Sequence, residues 1–319
     1  MAHIRNRHLA AQFDKLLKTS ALVGVFGHRQ TGKTTFVSAH SGNYITFDRQ
    51  QDLSECNKDS ELFLKNQKSS CTVIDECQLS PSLFPALKEW VRTHKRPGQF
   101  ILTGSVRFTS RKAIRESLTG RIISAEMLPM TVAELQQRSL PDAAVRLLSS
   151  KDFTGFPLAD FHARFSSGSS SALEKYIRLG GLPGICLLKD AKNRKDHFSA
   201  LIRLILDRDL RQIVQTTLSL DTLERYLRFI ASRGLDLYSF AEARRSTGLS
   251  EQTQKKLLFA FESIFLIRRI PAEGVSGESI LLEDQLEERE LSDNSLAAQT
   301  QLTTAIYRNL RAQFTYRSG

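Results

Sequence analysis

Short apolar runs alternate with longer mixed stretches through the first part of the chain. Leu22–Phe26 (LVGVF), Tyr44–Phe47 (YITF), Thr72–Ile74 (TVI), Phe100–Leu102 (FIL) and Ile122–Ala125 (IISA) are rich in β-branched and aromatic residues. Runs this short, apolar throughout, predict strands buried on both faces, as in a parallel sheet. Between them the period turns helical. In Ser82–His94, Leu83, Phe84, Leu87, Trp90 and Val91 share one face. Strands and helices in alternation predict an α/β fold with helices on both faces of the sheet. After Leu128–Leu135 (LPMTVAEL) the pattern changes. Phe153–Ser171 is broken by Gly155, Pro157, Gly168 and the serine-rich FSSGSSS, and predicts a loop or linker. From Ala172 to about Leu266 the chain reads as helical, with no internal repeat.

The first apolar run leads into GHRQTGKT, which places the pattern G-x-x-x-x-G-K-[ST] on Gly27, Gly32, Lys33 and Thr34. Strand, glycine-rich turn and helix start is the context this pattern needs. The backbone from Gly27 through His28, Arg29, Gln30 and Thr31 to Gly32, and on to Thr35, can curl its N–H groups toward phosphates, helped by the positive end of the following helix. Lys33 would reach the β- and γ-phosphates and Thr34 would ligate Mg²⁺. The alternative is an accidental glycine-rich turn. It loses ground to a second motif, CTVIDECQ, in which a strand ends in Asp75 and Glu76. There Asp75 would hold Mg²⁺ through its water shell and Glu76 would polarise the attacking water. Together the motifs predict a nucleoside triphosphate, ATP or GTP, with Mg²⁺.

Composition narrows the setting. With 25% charged and 41% hydrophobic residues among 319, the chain is of ordinary globular make-up. No apolar run approaches the ~20 residues of a membrane span. MAHIRNRHLAAQFDKLL carries no continuous apolar segment of a secretory signal. Cys56, Cys71, Cys77 and Cys186 lack metal-type spacing and are expected as free thiols in a reducing cytoplasm. The net charge of +11 favours a polyanionic partner, nucleic acid ahead of an anionic membrane, with solvated lysines as the plain alternative.

FILTGSVR should bring Thr103 and Ser105 to the same sheet edge as the glycine-rich loop, where either hydroxyl could sense the γ-phosphate or simply form the strand-end turn. Arg121 stands just before the fifth run. In a ring of such domains it could project into a neighbour's site and stabilise transition-state charge, or else make a surface salt bridge.

The order GHRQTGKTT, VIDECQ, ILTGS, ESLTGR, LPMTVAEL and GGLPG resembles a family of bacterial and archaeal AAA-type ATPases, related to the AAA+ and STAND branches of P-loop proteins. The resemblance covers nearly the whole chain. It implies a P-loop core over 1–150, a linker and helical lid over 151–218, a winged helix over 219–272 and the start of a C-terminal nuclease-like region over 273–319. It also implies that Gly180, Gly181, Leu182 and Pro183 form a lid motif packing on the adenine. On residues alone, GGLPG is a helix-breaking turn.

Asp221–Pro271 reads as helix, turn, helix and strand, with Ser239 and Ser250 as caps. The second helix keeps Leu257, Leu258 and Phe261 inward and leaves Gln252, Lys255 and Lys256 outward, suited to bases and phosphates. Arg268 and Arg269 would add charge from the wing, and Arg107, Arg111, Lys112 and Arg115 from the nucleotide end. Glu283, Asp284, Glu287, Glu288 and Glu290 read as a solvated acidic helix face rather than a metal cluster. The expected function is an AAA+ ATPase that hydrolyses ATP, acts on DNA and assembles into a homo-oligomer, with a hexameric ring among the forms expected. The rival is a STAND-like switch that acts on a protein partner.

Overall fold

The computed structural model describes residues 5–40, 42–67, 69–94, 96–107, 120–142, 145 and 168–317. Most of the predicted linker, and Arg111, Lys112 and Arg115, lie outside them. The chain divides into two compact units: Leu9–Leu128 with Ser263–Phe265, and the remainder.

In the first unit the elements run α1 (Ala10–Thr19), β1 (Leu22–Phe26), α2 (Lys33–Ser38), β2 (Asn43–Thr46), α3 (Gln50–Lys58), α4 (Ser60–Lys65), β3 (Thr72–Asp75), α5 (Leu83–Thr93), β4 (Phe100–Gly104) and β5 (Ile122–Glu126). The five strands form one sheet in the order β2-β3-β4-β1-β5, and every pairing is parallel. This is the α/β fold expected. The inner strands β1, β3 and β4 are buried along their whole length, while the edge strands β2 and β5 are partly open. That contrast explains why the inner strands read as unbroken apolar runs. Helix α5 turns Leu83, Phe84, Ala86, Leu87 and Val91 inward, against a core that includes Phe26, Ile74 and Phe100. Phe265, from late in the chain, enters the same core.

Because all strands are parallel, the ends of β1, β3 and β4 meet at one edge. One strand, β4, stands between the strand that feeds the glycine-rich loop and the strand that carries the acids. This order sets the site: whatever follows β4 lies between phosphate loop and carboxylates.

The second unit holds α6 (Val132–Leu135), α7 (Gly168–Leu179), α8 (Pro183–Cys186), α9 (Ala191–Leu204), a π-helical turn at Ile205–Asp209, α10 (Leu210–Ile213), α11 (Leu220–Arg233), α12 (Phe240–Thr247), α13 (Glu251–Ser263), a β6 (Ile267–Pro271) and β7 (Glu278–Leu282) hairpin, α14 (Gln285–Leu291) and α15 (Ala298–Arg317). Helix α7 starts at Gly168, inside the stretch predicted as linker. Buried Glu134 ties the start of the chain to α6. It accepts from Arg7 Nε at 3.0 Å and His8 N at 2.7 Å, and completes a capping box with Thr131.

Candidate nucleotide site

The glycine-rich loop leaves β1 and turns twice through left-handed backbone, at Gln30 (φ 63°) and Gly32 (φ 90°). Left-handed geometry is cheap for Gly32 and strained for Gln30, the kind of strain that gathers at ligand loops. Gly27 has a different reason to be glycine: a Cβ there would lie 2.2 Å from Met127 O. Lys33, 7% exposed, lies along the loop and donates to Gly27 O at 3.0 Å and His28 O at 2.9 Å. Thr31 Oγ1 donates to His28 O at 2.9 Å, and His28 Nδ1 lies 2.6 Å from Arg29 O. Thr34 and Thr35 are exposed at the start of α2.

Asp75 and Glu76 stand at the end of β3. Thr34 Oγ1 donates to Asp75 Oδ2 at 2.7 Å, joining residues 41 apart in sequence. Tyr44 OH donates to the same oxygen at 2.6 Å, while Thr103 Oγ1 and, at 3.1 Å, Glu76 N donate to Oδ1. All of these partners are neutral hydroxyl or amide donors. Burial, reinforced by Asp75, holds the Tyr44 phenol well above its ordinary pKa, so it stays a donor. Glu76 takes φ 53°, left-handed for a non-glycine residue, and its Oε2 accepts from Gln78 Nε2. Burial pushes the Glu76 carboxyl upward, against the pull of Lys33, Gln78 and Arg29. A raised carboxyl is nearer the range useful for taking a proton at neutral pH.

The donor set fits Mg²⁺. Thr34 Oγ1 and Asp75 Oδ2 are hard oxygens already side by side, and a hydroxyl donor gives up its place to a cation more readily than an ammonium or guanidinium would.

Residues 19–136 match the AAA domain family. The geometry above falls within that AAA domain. Residues 170–278 match a second family, a domain of unknown function, DUF8612. Uncharacterised proteins of Mycobacterium tuberculosis and Mycobacterium bovis are each 25% identical over 269 residues, 84% of this chain and 53% of theirs. The chain thus spans about half the length of the curated relatives it matches. A Walker-type ATPase of Pyrococcus abyssi has the same fold, with TM-score 0.54 at 14% identity over 90% of this chain and 96% of that one. The five-stranded parallel sheet with its helices is thus an α/β fold shared with this Walker-type ATPase.

Of the two hydroxyls considered at the end of β4, Thr103 bonds Asp75; Ser105, two residues later, is buried. Tyr44 and Gln78 escaped the motif reading. Tyr44 reaches Asp75 because β2 pairs with β3 in the register Thr46↔Asp75, and strand order is not written in local sequence. Gln78 was within reach, two residues after Glu76 in a tight turn. Arg121 precedes β5 at the sheet edge opposite the AAA loop, where it lines a cleft of about 730 Å³ with Ser20, Pro97 and Ile122.

Several cations expected to face a polyanion are engaged within the protein. Arg268 pairs with Glu283 at 3.3 Å and Arg269 with Glu278 at 2.7 Å, so the hairpin arginines are engaged within the protein. Arg107 lies 3.5 Å from Glu126 and over the Phe265 ring at 4.1 Å, rather than free for a polyanion. Lys255 pairs with Glu251 at 2.6 Å, whereas exposed Lys256 has no ion pair among the described residues. Gln252 is exposed beside them.

The acidic face on α14 is not solvated. Glu283, Asp284, Glu287 and Glu288 are all under 5% exposed, and only Glu290 is half-exposed. Arg308 Nη2 donates to Glu288 Oε2 at 2.6 Å and Arg311 Nη1 to Glu283. The acids read as solvated because their counter-charges lie on α15, about twenty or more residues later. Asp284 caps α14 through Leu286 N at 2.9 Å and accepts from Gly181 N at 2.6 Å. A Cβ at Gly180 would lie 2.1 Å from Asp284 Oδ1, and one at Gly181 2.2 Å from Met130 O. Close packing in this unit therefore requires both glycines of GGLP. Pro183 opens α8.

Proposed function

We propose that this chain binds ATP with Mg²⁺ and hydrolyses it. The observation that carries the proposal is the contact of Thr34 with Asp75, with Glu76 next in the chain and Lys33 next to Thr34. In this reading Lys33 exchanges its loop carbonyls for β- and γ-phosphate oxygens. Thr34 and Asp75 hold Mg²⁺, which when bound neutralises phosphate charge. Thr103 fixes the Asp75 carboxylate from the neighbouring strand. Glu76 accepts a proton from the attacking water. Loop backbone from Gly27 to Thr35 lines the phosphates, and Ser105 serves as the γ-phosphate sensor. Direct binding of a fluorescent ATP analogue, with turnover measured in parallel, tests this. Lys33→Ala should lose binding, and Glu76→Gln should bind and not turn over.

Arg121 supports action as a homo-oligomer. It lies one β5 length from the AAA loop edge, about 16 Å for five residues, too far to serve its own nucleotide. A second copy, in a ring, could receive it. Activity that rises with protein concentration would agree; full activity in a dilute monomer would exclude it.

For the second unit we propose a helical lid and a winged helix that contacts DNA. The support is the order α11, α12, turn, α13 and hairpin, with Gly248 (φ 77°) closing α12, Ser250 capping α13, and a bridge Leu237↔Ser279 joining the hairpin. Buried Gln254 pins the turn through Leu249 O at 2.9 Å and Phe240 O at 3.1 Å. Gln252 and Lys256 are the contacts this face offers. The engaged Lys255, Arg268 and Arg269 favour the second reading, a STAND-like switch on a protein partner, since they reduce the cations available to phosphates. DNA titrations at low salt, with and without ATP, decide between them.

A further inference from the structure

Gln78 closes the stretch CTVIDECQ, where the sequence assigns it no role, yet it sits among the residues of both motifs. It lies in the 3₁₀ turn Cys77–Leu79, is 5% exposed, and donates through Nε2 to Glu76 Oε2. Three features argue that this bond is built into the fold. The turn that brings amide and acid together passes through left-handed backbone at Glu76, φ 53°, a conformation a non-glycine residue adopts only when its surroundings impose it. The amide rests in a slot left by a missing side chain: a Cβ at Gly104 would lie 2.3 Å from Gln78 Oε1 and 3.3 Å from Cδ. The residue before that glycine, Thr103, donates to Asp75. Consecutive positions at the end of β4 thus serve both acids, Thr103 by contact and Gly104 by making room.

We propose that Gln78 is a positioning residue for Glu76. Its amide fixes the carboxylate through Oε2 and leaves Oε1 to face the attacking water. The water oxygen attacks the γ-phosphorus as its proton passes to Oε1. The bond from that phosphorus to the β,γ-bridging oxygen breaks, and its electron pair leaves with the diphosphate. Without the amide the carboxylate loses its fixed orientation, and a displacement of about 1 Å in a reacting group costs on the order of 10²-fold in rate. The role rests on Glu76 being the general base, so the experiment separates the two.

Four versions of this whole chain suffice: native, Gln78→Met, Glu76→Gln and the double variant. Gln78→Glu, the isostere that replaces the donor with an acceptor, stands in if Gln78→Met folds poorly. The readouts are affinity for a fluorescent ATP analogue, kcat and KM for ATP with Mg²⁺, and the thermal midpoint. Gln78→Met should hold affinity and KM within about threefold of native while kcat falls about 10²-fold. In the Glu76→Gln background it should cost nothing more, because Gln78 acts only through Glu76. Native kcat in Gln78→Met beside an inactive Glu76→Gln overturns the positioning role alone. Loss of nucleotide affinity or of the thermal midpoint together with kcat overturns it in favour of a structural role. A Glu76→Gln protein that turns over at the native rate removes the base assignment, and Gln78's role with it.

Discussion

Two groups of carboxylates in this chain are held in different ways, one mainly by neutral donors and the other mainly by arginines. At the AAA edge, Asp75 accepts from the hydroxyls of Thr34, Tyr44 and Thr103 and from Glu76 N, and Glu76 accepts from the Gln78 amide. On α14 and α15, Glu288 faces Arg308, Glu283 faces Arg311 and Arg268, and Asp284 faces two backbone amides. Neutral donors satisfy an acid without cancelling its charge, so a cation can still be attracted and take their place. A guanidinium cancels the charge and leaves nothing for a ligand. Burial of acids therefore says little about function until the partners are known: hydroxyl-held acids point to a site, arginine-held acids to architecture.

The largest effects should separate the groups in kind. Glu76→Gln should lower kcat by roughly 10²- to 10⁴-fold, the usual contribution of a general base, with the thermal midpoint near native. Arg308→Met should do the reverse. It strands Glu288 in the interior and should cost about 3–5 kcal/mol of stability, read by denaturant unfolding. Adding Glu288→Leu should recover part of that loss, since neither charge is then unpaired, while Leu282 O and Gln285 Oε1 still lack the donors Arg308 supplied. If Arg308→Met unfolds at the native denaturant concentration, the architectural reading of the second group fails. Asp75→Asn falls between, at about 1–3 kcal/mol from amide hydrogens meeting hydroxyl donors, with loss of the Mg²⁺ dependence of ATP affinity.

Asp284 sharpens the comparison by pH. Burial, reinforced by Glu287, raises its carboxyl from 3.8 to about 6, although Gly181 N, Leu286 N and Arg308 pull the other way. A folded pKa above the unfolded one means the native state binds more protons between about pH 4 and 6. Stability from this group is therefore greatest below pH 4, falls as pH rises through the window and is flat above it, a span of about 3 kcal/mol. The unfolding free energy of the native protein minus that of Asp284→Asn should trace this fall. A difference that stays level from pH 4 to 7 would mean that Asp284 is not buried against Gly181 as described.

Much of the AAA domain was legible because its signals are local. Apolar runs marked all five strands, and GHRQTGKT and VIDECQ each carry their chemistry within eight residues. What stayed hidden depends on who sits beside whom. Tyr44 meets Asp75 through strand pairing, Thr103 meets it because β4 lies between β1 and β3, and the α14 acids meet arginines from α15. Helix α14 read as solvated since each acid was weighed against its own helix. Serine-rich FSSGSSS read as linker up to Ser171, yet α7 begins at Gly168, because small polar residues suit a helix start as well as a loop.

The smallest expected effect carries the same distinction to the surface of α13. Lys255 and Lys256 are neighbours in sequence and both exposed, but Lys255 holds Glu251 at 2.6 Å and lies 5.3 Å from the Phe240 ring, while Lys256 has no ion pair among the described residues. If this face meets DNA, a phosphate must first displace Glu251 from Lys255, and the counterion release from that residue is reduced. Lys256→Ala should make the log–log dependence of duplex affinity on salt shallower by about 1, for all sequences alike. Lys255→Ala should change it by less than half as much, and Glu251→Gln, which frees Lys255, should make it steeper. Equal slopes for the two lysine variants would mean that the ion pair does not govern availability. No binding at low salt by any variant, with or without ATP, would remove DNA from this face and leave the protein-partner switch as the account of the second unit.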